Sequence, residues 1–134
     1  MASTIQPLSS ALALTTTLTA ATNTSIVEGF DYHTLDFAWT PGTTSNVLTI
    51  AIDHRVNANT DGPWTQDMKW VEAPAGTLTR TLLQLQHTAT GTTEVAFYYS
   101  FELHAGEVRI RVSESEAGGV TKGTISSFLT SSSS

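Results

Sequence analysis

Apolar and polar residues alternate with a period of two along most of this chain, the pattern of strands that bury one face and wet the other. In His33–Trp39, Leu35, Phe37 and Trp39 fall on one side, with Asp36 and Ala38 opposite. Val47–Val56 groups Leu48, Ile50 and Ile52, and Glu94–Leu103 groups Val95, Phe97, Tyr99, Phe101 and Leu103. The cleanest run is Glu107–Glu116, where Val108, Ile110 and Val112 alternate with Glu107, Arg109, Arg111 and Ser113. A Thr-rich run, Leu12–Ala20, places Leu12, Leu14, Thr16 and Leu18 on one face. Pro63–Glu72 and Thr77–Thr88 alternate less well; in the second, Leu82-Leu83 breaks the phase and predicts a bulge or a strand covered on both faces.

Turn residues separate these runs: Pro41-Gly42, Asn46, Asp61-Gly62-Pro63, Pro74-Ala75-Gly76, Gly91, Ala105-Gly106 and Gly118-Gly119. The short Ala105-Gly106 connection predicts a hairpin joining residues 94–104 to 107–114. A last run, Thr124–Thr130, follows Gly118-Gly119. The pattern yields about eight or nine short strands and no helix, which implies an all-β antiparallel two-sheet sandwich, with a jelly roll as one form of it. Residues 1–10 and 131–134 lack core-forming runs and are expected as a flexible N-terminal arm and C-terminal tail around a domain at 11–130.

Composition narrows the class. The 134 residues suit one domain with its own core. Cysteine is absent, which removes disulfides, thiolate metal sites and a thiol nucleophile. A net charge of -6, with six Lys and Arg scattered along the chain, argues against a nucleic-acid partner. Charged residues make up only 13%, and Ser and Thr, roughly a quarter of the chain, stand in their place where usual composition has far fewer. Such a surface suits strands that lie against other protein. The opening residues lack the basic start and apolar stretch of a secretory signal, and no run is long enough for a membrane span, so a protein made in a reducing cytoplasm is expected.

One stretch, Val56–Asp67, crowds polar groups as a metal loop does. Asn57, Asn59 and Asp61 are spaced by two, and Gly62 takes the sixth place of a calcium loop counted from Asn57. Met68 stands in the twelfth place, where a bidentate Glu is needed, and Pro63 in the seventh. The same residues make a strand-to-strand turn, and that is the preferred reading. The four histidines show no short two-histidine spacing, and His54 points away from its neighbour Asp53 on a strand. No nucleophile elbow accompanies the serines, so no enzyme, catalytic residue or cofactor is expected. Trp39 belongs to the core. Trp64 is either a core anchor beside the turn, an interface residue, or a platform for a sugar ring in a carbohydrate-binding module. Arg109 and Arg111 line the outward face of their strand, as a solvated face or a subunit contact.

Residues 47–67 and 108–129 together resemble small β-sandwich virion proteins of tailed bacteriophages. The matching positions are Leu48, Ile50, Ile52, Asn59, Asp61, Gly62 and Trp64, then Val108, Arg109, Ile110, Val112, Gly123 and Ile125. The likeness runs from about Asn46 onward; the inserted Asn57-Ala58, Pro63 and the Thr-rich start depart from it. It implies a structural protein of the virion: a head decoration (cement) protein on the capsid surface, or a neck or tail component. The implied partner is the major capsid protein, and the implied assembly is a homotrimer. Leu12 and Leu14, with the arm before them, are the expected strand-exchange segment, and Trp64, Arg109 and Arg111 the other expected partner contacts.

Overall fold

A computed structural model describes residues 3–57, 62–73, 77–115 and 121–133, with side chains described outside 68–73 and 77–82. Among the described residues it contains twelve strands and no helix. They are β1 (Ser3–Ala13), β2 (Thr19–Ala20), β3 (Ser25–Ile26), β4 (Tyr32–Thr40), β5 (Val47–Arg55), β6 (Thr65–Gln66), β7 (Met68–Ala73), β8 (Thr77–Leu82), β9 (Gln84–Thr88), β10 (Val95–Glu102), β11 (Glu107–Ser115) and β12 (Thr124–Ser132).

One sheet has the order β1-β12-β4-β10. The other runs β2-β11-β5-β6, with β3 also on β11 and β9 also on β5, and β7 and β8 pair as a separate ribbon. Every pairing is antiparallel. Along the chain, β1, β4, β10 and β12 lie in one sheet while the elements between them lie in the other, apart from the β7–β8 ribbon. Crossing from sheet to sheet in this way is the connectivity of a jelly roll.

Alternation explains the core. Leu35, Phe37 and Trp39 of β4 face Leu48, Ile50 and Ile52 of β5 and Val108, Ile110 and Val112 of β11, and all nine are buried. Seven of them, all but Leu35 and Leu48, are β-branched or aromatic and favour strands because they pack well on a pleated surface. At one end of the core a carboxylate closes the sandwich. Glu114, fully buried on β11, accepts hydrogen bonds from Trp39 Nε1 at 2.8 Å and Asn46 Nδ2 at 2.6 Å. Backbone N–H groups of Gly42 at 2.9 Å and Gly123 at 3.1 Å complete the set. Both glycines are required by close approach: a Cβ on Gly42 would sit 2.3 Å from the Thr121 carbonyl oxygen, and one on Gly123 1.6 Å from that of Thr40.

The structure changes three sequence expectations. Residues 3–10, expected as an arm, form most of β1, in register with β12 from Ser3↔Ser132 to Pro7↔Phe128. Leu8 is fully buried, the one large apolar residue of that segment that reaches the core. The expected tail likewise begins inside β12, with Ser131 buried. Second, Leu12–Ala20 is not one strand: β1 ends at Ala13 and only Thr19–Ala20 pairs again, on β11. Third, residues 94–104 and 107–114 make no hairpin, because β10 pairs with β4 and β11 with β5 in opposite sheets. The Leu82-Leu83 break is present as the boundary between β8 and β9, where the Leu83 N–H turns to the Asp67 carbonyl at 2.8 Å.

Candidate functional site

The outward face of β5 and β11 carries the expected arginines, and cross-strand pairing decides what they do. Arg109 stands opposite Asp53, and Glu107 opposite Arg55. Arg109 Nε donates to Asp53 Oδ2 at 2.8 Å; Arg111 Nε donates to the same oxygen at 2.7 Å. Arg111 Nη2 adds bonds to Asp53 Oδ1 at 3.0 Å and Gln66 Oε1 at 2.9 Å. Arg55 binds Glu107 through Nε at 3.0 Å and Nη2 at 2.7 Å, and the Thr24 hydroxyl donates to the other Glu107 oxygen. The Asp53 side chain is only 2% exposed, against 26% and 27% for its two arginines. A desolvated carboxylate held by two guanidiniums is costly to leave unpaired, so these arginines are anchored within their own chain.

Trp64 lies over this network. The guanidinium carbons of Arg55 and Arg109 are 4.5 and 4.7 Å from its ring centroid, within cation–π range. The indole is half-buried and ties the turn after residue 61 to the β5–β11 face. Trp64 and Arg109, each named separately as a candidate partner contact, come together on this face, with Arg111 joined through Asp53. Asn57 is exposed at the near end of the loop, while Asn59 and Asp61 lie outside the described residues. The side chains of Met68 and Trp70 lie outside them too.

Leu12 and Leu14, expected at a partner contact, instead turn inward. Leu14 is buried and Leu12 packs against the core. β1, which carries Leu12, is bent: register shifts fall between Pro7 and Ser9 and between Ser9 and Leu12, and Ala11 adopts a positive φ of 47°. The Ala11 N–H finds Ser126 Oγ at 2.9 Å, so the irregularity is hydrogen-bonded rather than open.

The histidines are dispersed. His33 is buried between Ser131 at 2.8 Å and the Leu103 carbonyl at 3.0 Å. His54 and Asp67 are joined by a short hydrogen bond, and burial pushes the Asp67 carboxyl above its usual value despite that bond. Among the described residues no group of three or more His, Asp or Glu side chains converges as a metal site would require.

A second surface was not singled out from sequence: the outer face of the β1-β12-β4-β10 sheet. Pairing aligns Pro7, Phe128, Asp36 and Tyr98 in one row across all four strands. Ser126, Ala38 and Ala96 form the row on one side, and Thr130, Thr34 and Ser100 the row on the other. Tyr98 is 70% exposed, Ile5 65% and Phe128 43%. The four strands contain no Lys or Arg, and Asp36 and Glu102 are their only carboxylates. A cleft of about 330 Å³ lies over this face, lined by Asp36, Ala38, Ala96, Tyr98, Ser126 and Phe128 with parts of Phe37 and Phe97. Outward parity was legible for each residue, but their assembly into one row depends on strand order.

No family model and no curated protein matches the chain. Solved structures do. A chain of the T13 infectious bursal disease virus particle superposes with a TM-score of 0.61 at 8% identity, covering 98% of this chain. A chain of the Gx strain of the same virus gives 0.60 at 6% identity, again over 98%. This chain spans about a third of the length of each, at 31% and 32%. A CBM4 structure aligns at a TM-score of 0.47, too loose a superposition to argue from. The likeness is one of fold: an antiparallel β-sandwich shared with these chains.

Proposed function

We propose that this chain is a non-enzymatic structural protein of a virus particle, and specifically a decoration (cement) protein of a tailed-phage head that binds the major capsid protein. The observation that carries the reading is the outer face of the β1-β12-β4-β10 sheet, where Ile5, Tyr98 and Phe128 stand exposed among Ala, Ser and Thr without a single Lys or Arg. Contact faces between proteins are depleted in Lys and enriched in aromatic side chains, as this face is. The fold likeness to icosahedral virus chains supports the same class of role. A homotrimer on the shell is the assembly this reading carries. The glycan-binding alternative centred on Trp64 has less support, because two guanidiniums already lie against that ring.

The test is the copy number of this chain in particles purified from its source, measured by quantitative mass spectrometry against the major shell protein. Near-equal numbers are expected. A few copies per particle would move the chain to a neck or tail, and absence from particles would end the virion reading.

A further inference from the structure

Asp36 occupies an unusual position on the exposed sheet face. It lies at mid-strand on β4, directly opposite Phe128 on one neighbour and Tyr98 on the other. The hydroxyls beside it satisfy each other, Thr34 Oγ1 and Ser100 Oγ being 2.9 Å apart. Among the described residues, no side-chain hydrogen bond or ion pair engages Asp36 itself, although the three arginines of the opposite sheet are all paired. A half-buried carboxylate between two aromatic rings loses hydration without gaining a partner, which leaves it poised for a cation.

The dimensions select the kind of cation. Tyr98 and Phe128 sit two strands apart, so their backbones are separated by about 9.5 Å, twice the inter-strand spacing. A planar group stacked between two rings needs about 7–8 Å, two contact distances of 3.5–4 Å, which fits within that separation. The floor beyond Asp36 is made of Ser126, Ala38 and Ala96, small enough to admit an incoming side chain. Guanidinium is flat, stacks on aromatic faces and pairs with a carboxylate through two parallel N–H donors; ammonium does none of the stacking.

We propose that this cleft is an arginine socket: an arginine on the surface of a neighbouring polypeptide inserts between Tyr98 and Phe128 and pairs with Asp36. The identity of that neighbour as a shell protein rests on the virion reading above; the recognition chemistry does not. The residues around the socket supply no competing positive charge, since the four strands bear no Lys or Arg. The apolar and hydroxyl-bearing surface surrounding it then forms the drier part of the contact.

The test is an NMR titration of the purified chain with N-acetyl-arginine methylamide, following the aromatic resonances of Tyr98 and Phe128. Saturable shifts of both rings in the tens-of-millimolar range are expected for a single desolvated ion pair with stacking. Asp36→Asn should weaken the response about tenfold, and Tyr98→Ala should abolish the Phe128 shift's saturation. Both positions are on the outer face, and the amide dispersion of each variant reports whether the sandwich is intact. The uncharged citrulline analogue should leave the rings unmoved. Absence of ring shifts, equal response in Asp36→Asn, or equal binding of the lysine analogue would overturn the socket. If the chain is found in particles while the titration is negative, only the socket falls; if the titration is positive and the chain is absent from particles, only the virion partner falls.

Discussion

Replacing Glu114 with Ala should remove a large part of the stability of this sandwich. Four N–H donors converge on that one carboxylate: the Trp39 indole, the Asn46 amide and the backbones of Gly42 and Gly123. Glu114, Trp39 and Asn46 are each essentially inaccessible to solvent. Truncation leaves the buried Trp39 indole N–H without its acceptor and takes one hydrogen bond each from the Asn46 amide and the Gly42 and Gly123 N–H groups, and a buried donor left without a partner costs about 1–3 kcal/mol. Asn46 keeps its second bond, to the Thr121 carbonyl at 3.1 Å, which offsets part of its share. A loss of about 3–5 kcal/mol is therefore expected from the four donors together. That is a large fraction of the roughly 5–15 kcal/mol that stabilises a small domain. Urea unfolding followed by far-UV circular dichroism reads the difference directly from the midpoint and slope. Glu114→Gln keeps the shape and one acceptor oxygen but aims an NH2 group at donors, so it should fall between the two. A Glu114→Ala variant within about 1 kcal/mol of the parent would refute the reasoning, because the donors would then have found water or other partners.

Leu8→Ala tests whether the first strand is part of the domain: full burial predicts a loss of about 2–5 kcal/mol in the same urea assay, whereas a free arm would show no change. Asp67→Asn tests the direction of its shift. Burial raises the carboxyl's value in the folded chain above the unfolded 3.8, so the native state holds this proton more tightly. The parent should therefore gain stability relative to Asp67→Asn as pH falls through the raised value toward 3.8, and lose that advantage as pH rises again. Urea midpoints of both proteins across that window measure it; a parent that weakens relative to the variant on acidification contradicts the assignment.

Much of this fold was legible in the alternation. Leu35, Phe37, Trp39, Leu48, Ile50, Ile52, Val108, Ile110 and Val112 were assigned inward by parity alone, and all are buried. Parity works because a strand has only two faces and the core claims one of them. What it does not carry is which strand lies beside which. The short Ala105-Gly106 link reads as a hairpin in sequence, yet in a jelly roll the same connection steps between sheets. Residues 3–10 read as an arm because a single leucine and one proline give no alternation, and their order comes from pairing with β12 more than a hundred residues away. The arginine network was half visible: Arg109 and Arg111 were picked out, but Asp53 as their shared anchor requires the β5–β11 register. The Asp36 row was legible only as outward parity on separate strands, since joining its members requires the order of four strands.

The pairing of the first strand with the last has a consequence for synthesis. In its own sheet β1 touches only β12, and the bond between Ser9 and Ser127 spans 118 residues. At about 5–20 residues per second, a ribosome needs roughly 6–24 s to make the partner after β1 has emerged. Closure of that sheet is thus a late, high-contact-order event, the kind that slows folding and lengthens exposure of unpaired strand. Throughout that interval Pro7 offers no N–H to a stray chain, and it sits beside the one leucine that most needs cover. A nascent chain of this sequence carries its own guard against premature pairing in the segment that must wait longest.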